Sequence, residues 1–272
     1  PEQLTMEDRW IVDRFNNLAK EVNDNLNKFE IGVACSKLYD FIWDVYCDWY
    51  IELTKPRIQA GGATMEQAQA VLVWVMRGML KLLHPFMPYI TEEIWQVLTN
   101  EESMIMLESY PVYTEEHAYA EAAQFEKVID AIRAIRNCRT SMNVPPSKKA
   151  SVYIETQDTE LFAAAVFFEK LASASSVEVG TSFDLQDAAT AVTDSARIFI
   201  PMAELVDREK ELARLQKEQQ KAQKDIDFLQ KKLNNPGFLA KAPEQLVAAE
   251  RAKLAKATEK MEKILQSIAG LQ

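Results

Sequence analysis

Residues 37–58 leave the chain few choices. Leu38, Ile42, Val45, Trp49 and Leu53 recur at helical spacing, and Phe41, Trp43, Tyr46 and Tyr50 widen the stripe around most of the girth. A helix of that kind has to be buried on several sides, so the pattern predicts the central helix of an α-helical bundle. Its one sustained polar line is Asp40, Asp44, Asp48 and Glu52, a carboxylate every fourth residue. Like charges at that spacing repel one another, and the line is expected to meet arginines and lysines of neighbouring helices. Pro56 is expected to end the element, because proline biases the preceding residue away from α geometry. Gly32 is expected to mark the break in front of it.

The flanking segments supply the rest of a bundle. Thr5 to Asp8 has the form of a capping box, after which Ile11, Phe15, Leu18, Val22, Leu26 and Phe29 mark one apolar face. Arg9, Arg14, Lys20 and Lys28 lie off that face, either as solvated charges and partners of the acidic line or as phosphate contacts. Phe15 and Phe29 are core residues on the first reading and stacking platforms on the second. A loop at 59–64 holds two of the chain's seven glycines, and Thr64 with Gln67 reads as a second capping box opening a helix at 65–83. Two prolines, Pro85 and Pro88, break that helix, and Thr91 is expected to cap a short one. His84, with no carboxylate or cysteine paired to it by spacing, reads as structural. Tyr110-Pro111 closes the bundle. A further amphipathic helix at 115–137 leads into Arg133, Arg136 and Arg139, with Lys148 and Lys149 in the loop beyond. Such a cluster neutralises phosphates or forms a salt-bridged face.

From Ala150 the period changes to alternation. Strands are expected at 151–156, 175–179, 188–193 and 197–201, with a helix near 159–171, a small α+β module. In the tail, Leu205, Leu212, Leu215, Ala222, Ile226, Leu229 and Leu233 fall at heptad positions, as do Val247, Leu254, Ala257, Met261, Ile264, Ile268 and Leu271. Asn234-Asn-Pro-Gly237 lies between them. Two heptad helices joined by about ten residues predict an antiparallel coiled-coil hairpin, each arm on the order of 45 Å long. Lys217, Lys221, Lys224, Lys231 and Lys232 populate one outer side of the first helix, and Lys253, Lys256, Lys260 and Lys263 the second, either as solvated flanks or as an RNA contact.

Net charge is −10, yet from Pro201 onward there are 14 Lys/Arg against 11 Asp/Glu, leaving a mildly basic tail on an acidic body. Asymmetry of this kind points weakly to RNA. Cys35, Cys47 and Cys138 are odd in number and widely spaced, which indicates neither a disulfide framework nor a metal site and fits a reducing cytoplasm. No run approaches the roughly 20 apolar residues of a membrane span. The N-terminus lacks the form of a signal peptide and begins without methionine, which suggests a piece of a longer protein.

Several blocks carry a resemblance. Asp40 to Glu52, followed by Lys55-Pro56-Arg57, resembles the anticodon-binding helical domain of the class Ia aminoacyl-tRNA synthetases. Leu-His-Pro-Phe-Met-Pro-Tyr-Ile-Thr-Glu-Glu-Ile-Trp at 83–95 is similar to a run shared by the valyl, isoleucyl and leucyl branches. Ile135-Arg136-Asn137 with Arg139, then Val144 and Pro146, resembles the valyl and isoleucyl branches. The stretch 233–254 resembles the C-terminal coiled-coil arm of the valyl branch. The resemblance implies a mainly α chain in three parts: an anticodon-binding bundle at 1–112, a helix plus small α+β junction module at 113–202, and a hairpin tRNA-binding arm at 203–272. It implies a parent enzyme that uses ATP with magnesium to load valine onto its tRNA, through a core bearing His-Ile-Gly-His and Lys-Met-Ser-Lys-Ser motifs. Neither motif occurs here, so no catalytic residue, cofactor or metal is expected in this chain. Its implied partner is tRNA(Val), bound by a monomer, with no DNA and no membrane. The bundle would read the anticodon and the hairpin would brace the outer corner of the tRNA. The candidate contacts are Arg9, Arg14, Phe15, Lys28, Phe29, Lys55 and Arg57 in the bundle, and Arg136, Arg139, Lys148 and Lys149 beyond it. In the arm they are Lys217, Lys221, Lys224, Lys231, Lys232, Phe238, Lys241 and Lys253. A helical scaffold whose coiled coil binds another protein is the competing reading, and a fragment of another class Ia synthetase is a second.

Overall fold

The computed structural model describes residues 4–99, 103–205, 208–234 and 244–269. The chain divides into two compact units, Pro1–Ile200 and Pro201–Gln272. In the first, α1 (Met6–Asn27) packs against α2 (Ile31–Asp40), α4 (Gly62–Leu83) and α6 (Ala122–Ser141), while α5 (Pro88–Thr99) packs on α4. Trp10, Ile11, Val22, Leu38, Tyr50, Val75, Leu82, Phe125 and Ile132 are buried in its core.

The central helix runs from Ile31 to Ala60 without a break, as α2, a π-helical segment Phe41–Tyr50, and α3 (Ile51–Ala60). The π pairing extends one residue beyond the segment, where the Ile51 amide donates to the Tyr46 carbonyl. A π turn takes in one more residue than an α turn, and this re-aims the apolar stripe. Phe41, Val45, Tyr46, Trp49 and Tyr50 are buried, Ile42 is only half-buried, and Trp43, expected inside, is exposed beside Tyr39.

Other boundaries also moved. Gly32 lies within α2, and the break in front of it is at Lys28–Glu30, where Phe29 takes φ 61°. Pro56 sits inside α3 and does not end it, although a proline there forfeits a backbone hydrogen bond and crowds the carbonyl one turn back. The element ends instead at Gly61, whose φ of 75° is open to a residue without a Cβ. Thr5 is the N-cap of α1 but makes no capping hydrogen bond. Helix α4 already starts at Gly62, so Thr64 lies within its first turn, where Oγ1 donates to the Gly61 carbonyl. Thr91 is one turn into α5, where its hydroxyl donates to the Met87 carbonyl and lies 2.8 Å from His84 Nδ1, so His84 is tied into the fold.

Phe15 is a core residue. Its ring meets Trp74 edge-on at 5.4 Å and Phe41 at 6.1 Å, and its tip lies against Gly78. A Cβ on Gly78 would fall 2.2 Å from Phe15 Cζ. Alanine is the better helix former by about 1 kcal/mol, but overpacking a filled core costs about 1–3 kcal/mol. Gly78→Ala is therefore expected to lower the urea midpoint at unchanged slope, and a raised midpoint would show that the ring has room to move.

The α+β part is β1 (Ala150–Glu155), α7 (Thr159–Phe162), α8 (Ala165–Leu171), β2 (Ala174–Gly180), β3 (Ala188–Val192) and β4 (Arg197–Pro201). Sheet order is β2-β1-β4-β3, with β1 parallel to β2 (Ile154 opposite Val179) and antiparallel to β4 (Ile154 opposite Ile198). The crossover through α7 and α8 is what a parallel pair requires. Helix α6 contacts both α1 and β3, so bundle and sheet share one unit.

The second unit holds α9 (Met202–Leu205), α10 (Arg208–Leu233) and α11 (Glu244–Ala269), the last two paired antiparallel. Ala222, Ile226, Met261 and Ile264 form their buried seam, with Leu254 and Ala257 packed against it. Lys232 Nζ reaches Glu250 Oε1 across the pair at 3.3 Å. Twenty-six residues make each helix about 39 Å long. The expected turn at 235–237 lies outside the described residues, as do the side chains of Leu212, Leu215 and Ile268.

Candidate nucleic-acid interface

A cationic side chain is available to RNA only if the fold has not already engaged it. Arg57, on the last turn of α3, is engaged through both of its terminal nitrogens. Its Nη1 and Nη2 hold Asp8 Oδ1 and Oδ2 at 2.7 and 2.9 Å, and Nη1 reaches Glu7 Oε1 and Thr5 Oγ1, both at 3.1 Å. Gln67 Oε1 accepts from Nη2 at 3.2 Å, and the Tyr50 hydroxyl donates to Asp8 Oδ1 at 2.6 Å. Asp8 has no exposed side-chain surface, and Arg57 keeps 13% of its own. Burial opposes the Arg57 charge, but the hydrogen bond to Asp8 and the nearby carboxylates outweigh it and raise its pKa. Burial raises the pKa of Glu7, and burial with Asp8 alongside drives that of Tyr50 far up. Arg57 thus locks α3 to the start of α1 and leaves the set of RNA contacts.

Phe15 leaves it too, being buried under Trp74. The arginines of α6 do not share one face. Arg139 is buried and donates to the carbonyls of Pro145 and Lys148, fastening the loop that follows the helix; burial lowers its pKa. Arg136 donates Nε to the Leu171 carbonyl at 2.6 Å and lies 4.9 Å over the Trp49 ring, with Arg133 at 5.2 Å on the same ring. Burial lowers the Arg136 pKa, while Asp48 and Glu52 act to raise it. That is where the acidic line meets a neighbouring helix. Glu52 is also bridged by Lys55 of its own helix, and Arg9 pairs with Glu121 at 3.2 Å.

Arg14, Lys28, Phe29 and Lys149 remain open. Phe29 is 87% exposed on its left-handed turn, beside Lys28. Lys148 is half-buried. Arg14 faces a groove of about 780 Å³ between α1, α2 and α6, lined by Asp13, Glu21, Asp24, Asp40, Asp44 and Glu126, with Lys20, Lys37 and Arg133 as the other cations. Six carboxylates against four cations make a poor seat for a triphosphate. The lining of this groove does not fit ATP.

In the second unit, Lys217, Lys221, Lys224 and Lys231 are exposed and in no ion pair among the described residues. Lys232 and Lys253 share Glu250, whose pKa falls under their hydrogen bonds, Lys253 first. Phe238 and Lys241 lie outside the described residues. Phe228, 66% exposed on α10, and the pair Tyr39 and Trp43 stand outside the expected contacts. The signal for Phe228 was present, since it stands one residue before the heptad position Leu229 and therefore off the seam.

Burial raises the pKa of the Cys47 and Cys138 thiols, which suits packing rather than nucleophilic chemistry. Among the described residues no group of His, Cys, Asp and Glu is arranged to hold a metal, and no helix is long and apolar enough to cross a membrane.

Against known families, residues 8–154 match the anticodon-binding domain of tRNA ligase, and residues 207–272 match the valyl tRNA synthetase tRNA binding arm. Among curated relatives, the valine–tRNA ligase of Clostridium acetobutylicum is 44% identical over 279 residues, covering 100% of this chain and 32% of the relative. That of Clostridium tetani is 46% identical over 275 residues, 97% of this chain and 31% of the relative. That of Bacillus subtilis is 37% identical over 258 residues, 92% and 29%. The chain thus spans about a third of the length of the curated relatives it matches.

Proposed function

Since the chain belongs to the family of anticodon-binding domains of tRNA ligases and carries a tRNA-binding arm after it, we propose that it is the tRNA-recognition portion of a valine–tRNA ligase. The observation that carries this reading is the succession of the two matches in one chain, bundle first and hairpin last. The longer protein would join valine to tRNA(Val) at the expense of ATP, and this portion would contribute binding without catalysis, as a monomer in the cytoplasm. A seam closed by the chain's own second helix supports the monomer.

Anticodon bases are single-stranded, so their recognition needs aromatic faces for stacking and polar groups for base edges. Lys28 with Phe29, Arg14, and the exposed Tyr39–Trp43 pair are the groups of the bundle open to that role. The open lysines of the hairpin supply phosphate contacts, which position an RNA without reading its sequence.

Fluorescence-anisotropy titration of the whole chain with tRNA(Val) at low salt tests this, beside a matched tRNA altered only in the anticodon. Tight binding that weakens with the anticodon change is the expected result. Equal binding to both would remove the anticodon-reading role from the bundle, and no binding to either would overturn the reading.

A further inference from the structure

Helix α10 sorts its side chains by kind around the axis. An α-helix turns by about 100° per residue. Measured from the buried seam residue Ile226, positions 217, 221, 224, 228 and 231 all fall within about 40° of the opposite side. Those positions are Lys, Lys, Lys, Phe and Lys, and every one is exposed. The acids Glu218, Asp225 and Asp227 fall instead on the flanks, roughly 80–100° from the seam, and Asp227 accepts a hydrogen bond from Gln223 at 2.9 Å. A solvated helix face ordinarily mixes both signs of charge. This one carries four unpaired cations, no acid, and an exposed phenylalanine between two of them.

The partner helix differs. Measured likewise from its buried seam residue Met261, the back of α11 presents exposed Ala248, Ala252, Lys256, Glu259 and Lys263, so it mixes both signs of charge, and Lys263 pairs with Glu259 at 2.7 Å. Nothing in the seam requires this difference, because both backs point away from it.

We propose that the outer face of α10 is the RNA-binding track of the arm, with Phe228 stacking on an exposed base face of the tRNA. Lys217, Lys221, Lys224 and Lys231 hold phosphates to either side. The four lysines span about 21 Å along the axis, in steps of about 5 to 11 Å, which suits successive phosphates of one strand. Phe228 has a π face that stacks on any base and carries no sequence preference of its own. An acidic protein surface would satisfy the lysines but leave the ring without a partner. The inference rests on the tRNA reading above and assigns that reading to one face of one helix.

The test is binding of labelled tRNA(Val) to the whole chain across a series of salt concentrations. Phe228→Ala is expected to weaken binding about tenfold while leaving the slope of log affinity against log salt unchanged, and Phe228→Trp to restore it. Changing Lys217, Lys221, Lys224 and Lys231 together to Gln is expected to reduce that slope by about 3.6, roughly 0.9 for each phosphate contact. Changing Lys256 and Lys260 of α11 to Gln should do neither. All of these positions are exposed, and unchanged circular dichroism confirms that each variant keeps its helices. If the wild-type chain binds while Phe228→Ala binds equally well, or the α11 changes cost as much as those on α10, the track is overturned and the tRNA reading stands. If the wild-type chain fails to bind at low salt, the tRNA reading falls and the track falls with it.

Discussion

Arg57→Ala is expected to destabilise the first unit by about 3–5 kcal/mol, the cost of leaving a buried charge without its partner. Asp8 is fully enclosed and takes both guanidinium nitrogens. Without Arg57, the Tyr50 hydroxyl is the one side-chain donor left to that carboxylate among the described residues. Domains of this size are stable by about 5–15 kcal/mol, so the loss would be a large share of the whole. Urea unfolding followed by tryptophan fluorescence measures it. Arg57→Lys should recover only part, since a single ammonium cannot form the two-point grip of a guanidinium. The double change Asp8→Ala with Arg57→Ala should cost clearly less than the sum of the single changes, as expected of residues in one network. A loss below about 1 kcal/mol for Arg57→Ala, the range of exposed pairs, would mean that the pair is solvated and would return Arg57 to the RNA-facing set.

The second large effect concerns salt, and its sign is informative. The chain carries a net charge of −10, so without a local cationic track tRNA would be repelled and added salt would assist binding by screening. With the four open lysines of α10 on phosphates, each contributing a slope of about −0.9, raising salt from 50 to 200 mM should weaken binding on the order of 100-fold. Affinity that holds steady or rises with salt would place the contacts elsewhere.

The hairpin seam and the sheet were legible in the sequence because their spacing is local. Ala222, Ile226, Met261 and Ile264 are heptad positions, and β1 to β4 fall within one or two residues of the alternating runs. The central helix was legible as a helix but not in its phase. A 22-residue apolar stripe does not reveal a π segment: Phe41, Ile42 and Trp43 were all expected on the stripe, whereas Phe41 is buried, Ile42 half-buried and Trp43 exposed. The fate of the arginines was illegible for another reason. Arg57 meets Asp8 across 49 residues of chain, and Arg139 turns inward to carbonyls that no side-chain pattern encodes. Of the two phenylalanines offered to RNA, Phe15 lies beneath Trp74 and Phe29 stands in solvent, a difference set by a left-handed turn at one residue.

The antiparallel seam also governs how such an appendage could lengthen or shorten over time. An insertion in α10 alone would slide Ala222 and Ile226 out of register with Met261 and Ile264. Only whole heptads added in matched pairs, seven residues in each helix, preserve the meshing. The reach of the hairpin therefore changes in increments of about 10 Å. It behaves as a ruler with coarse graduations.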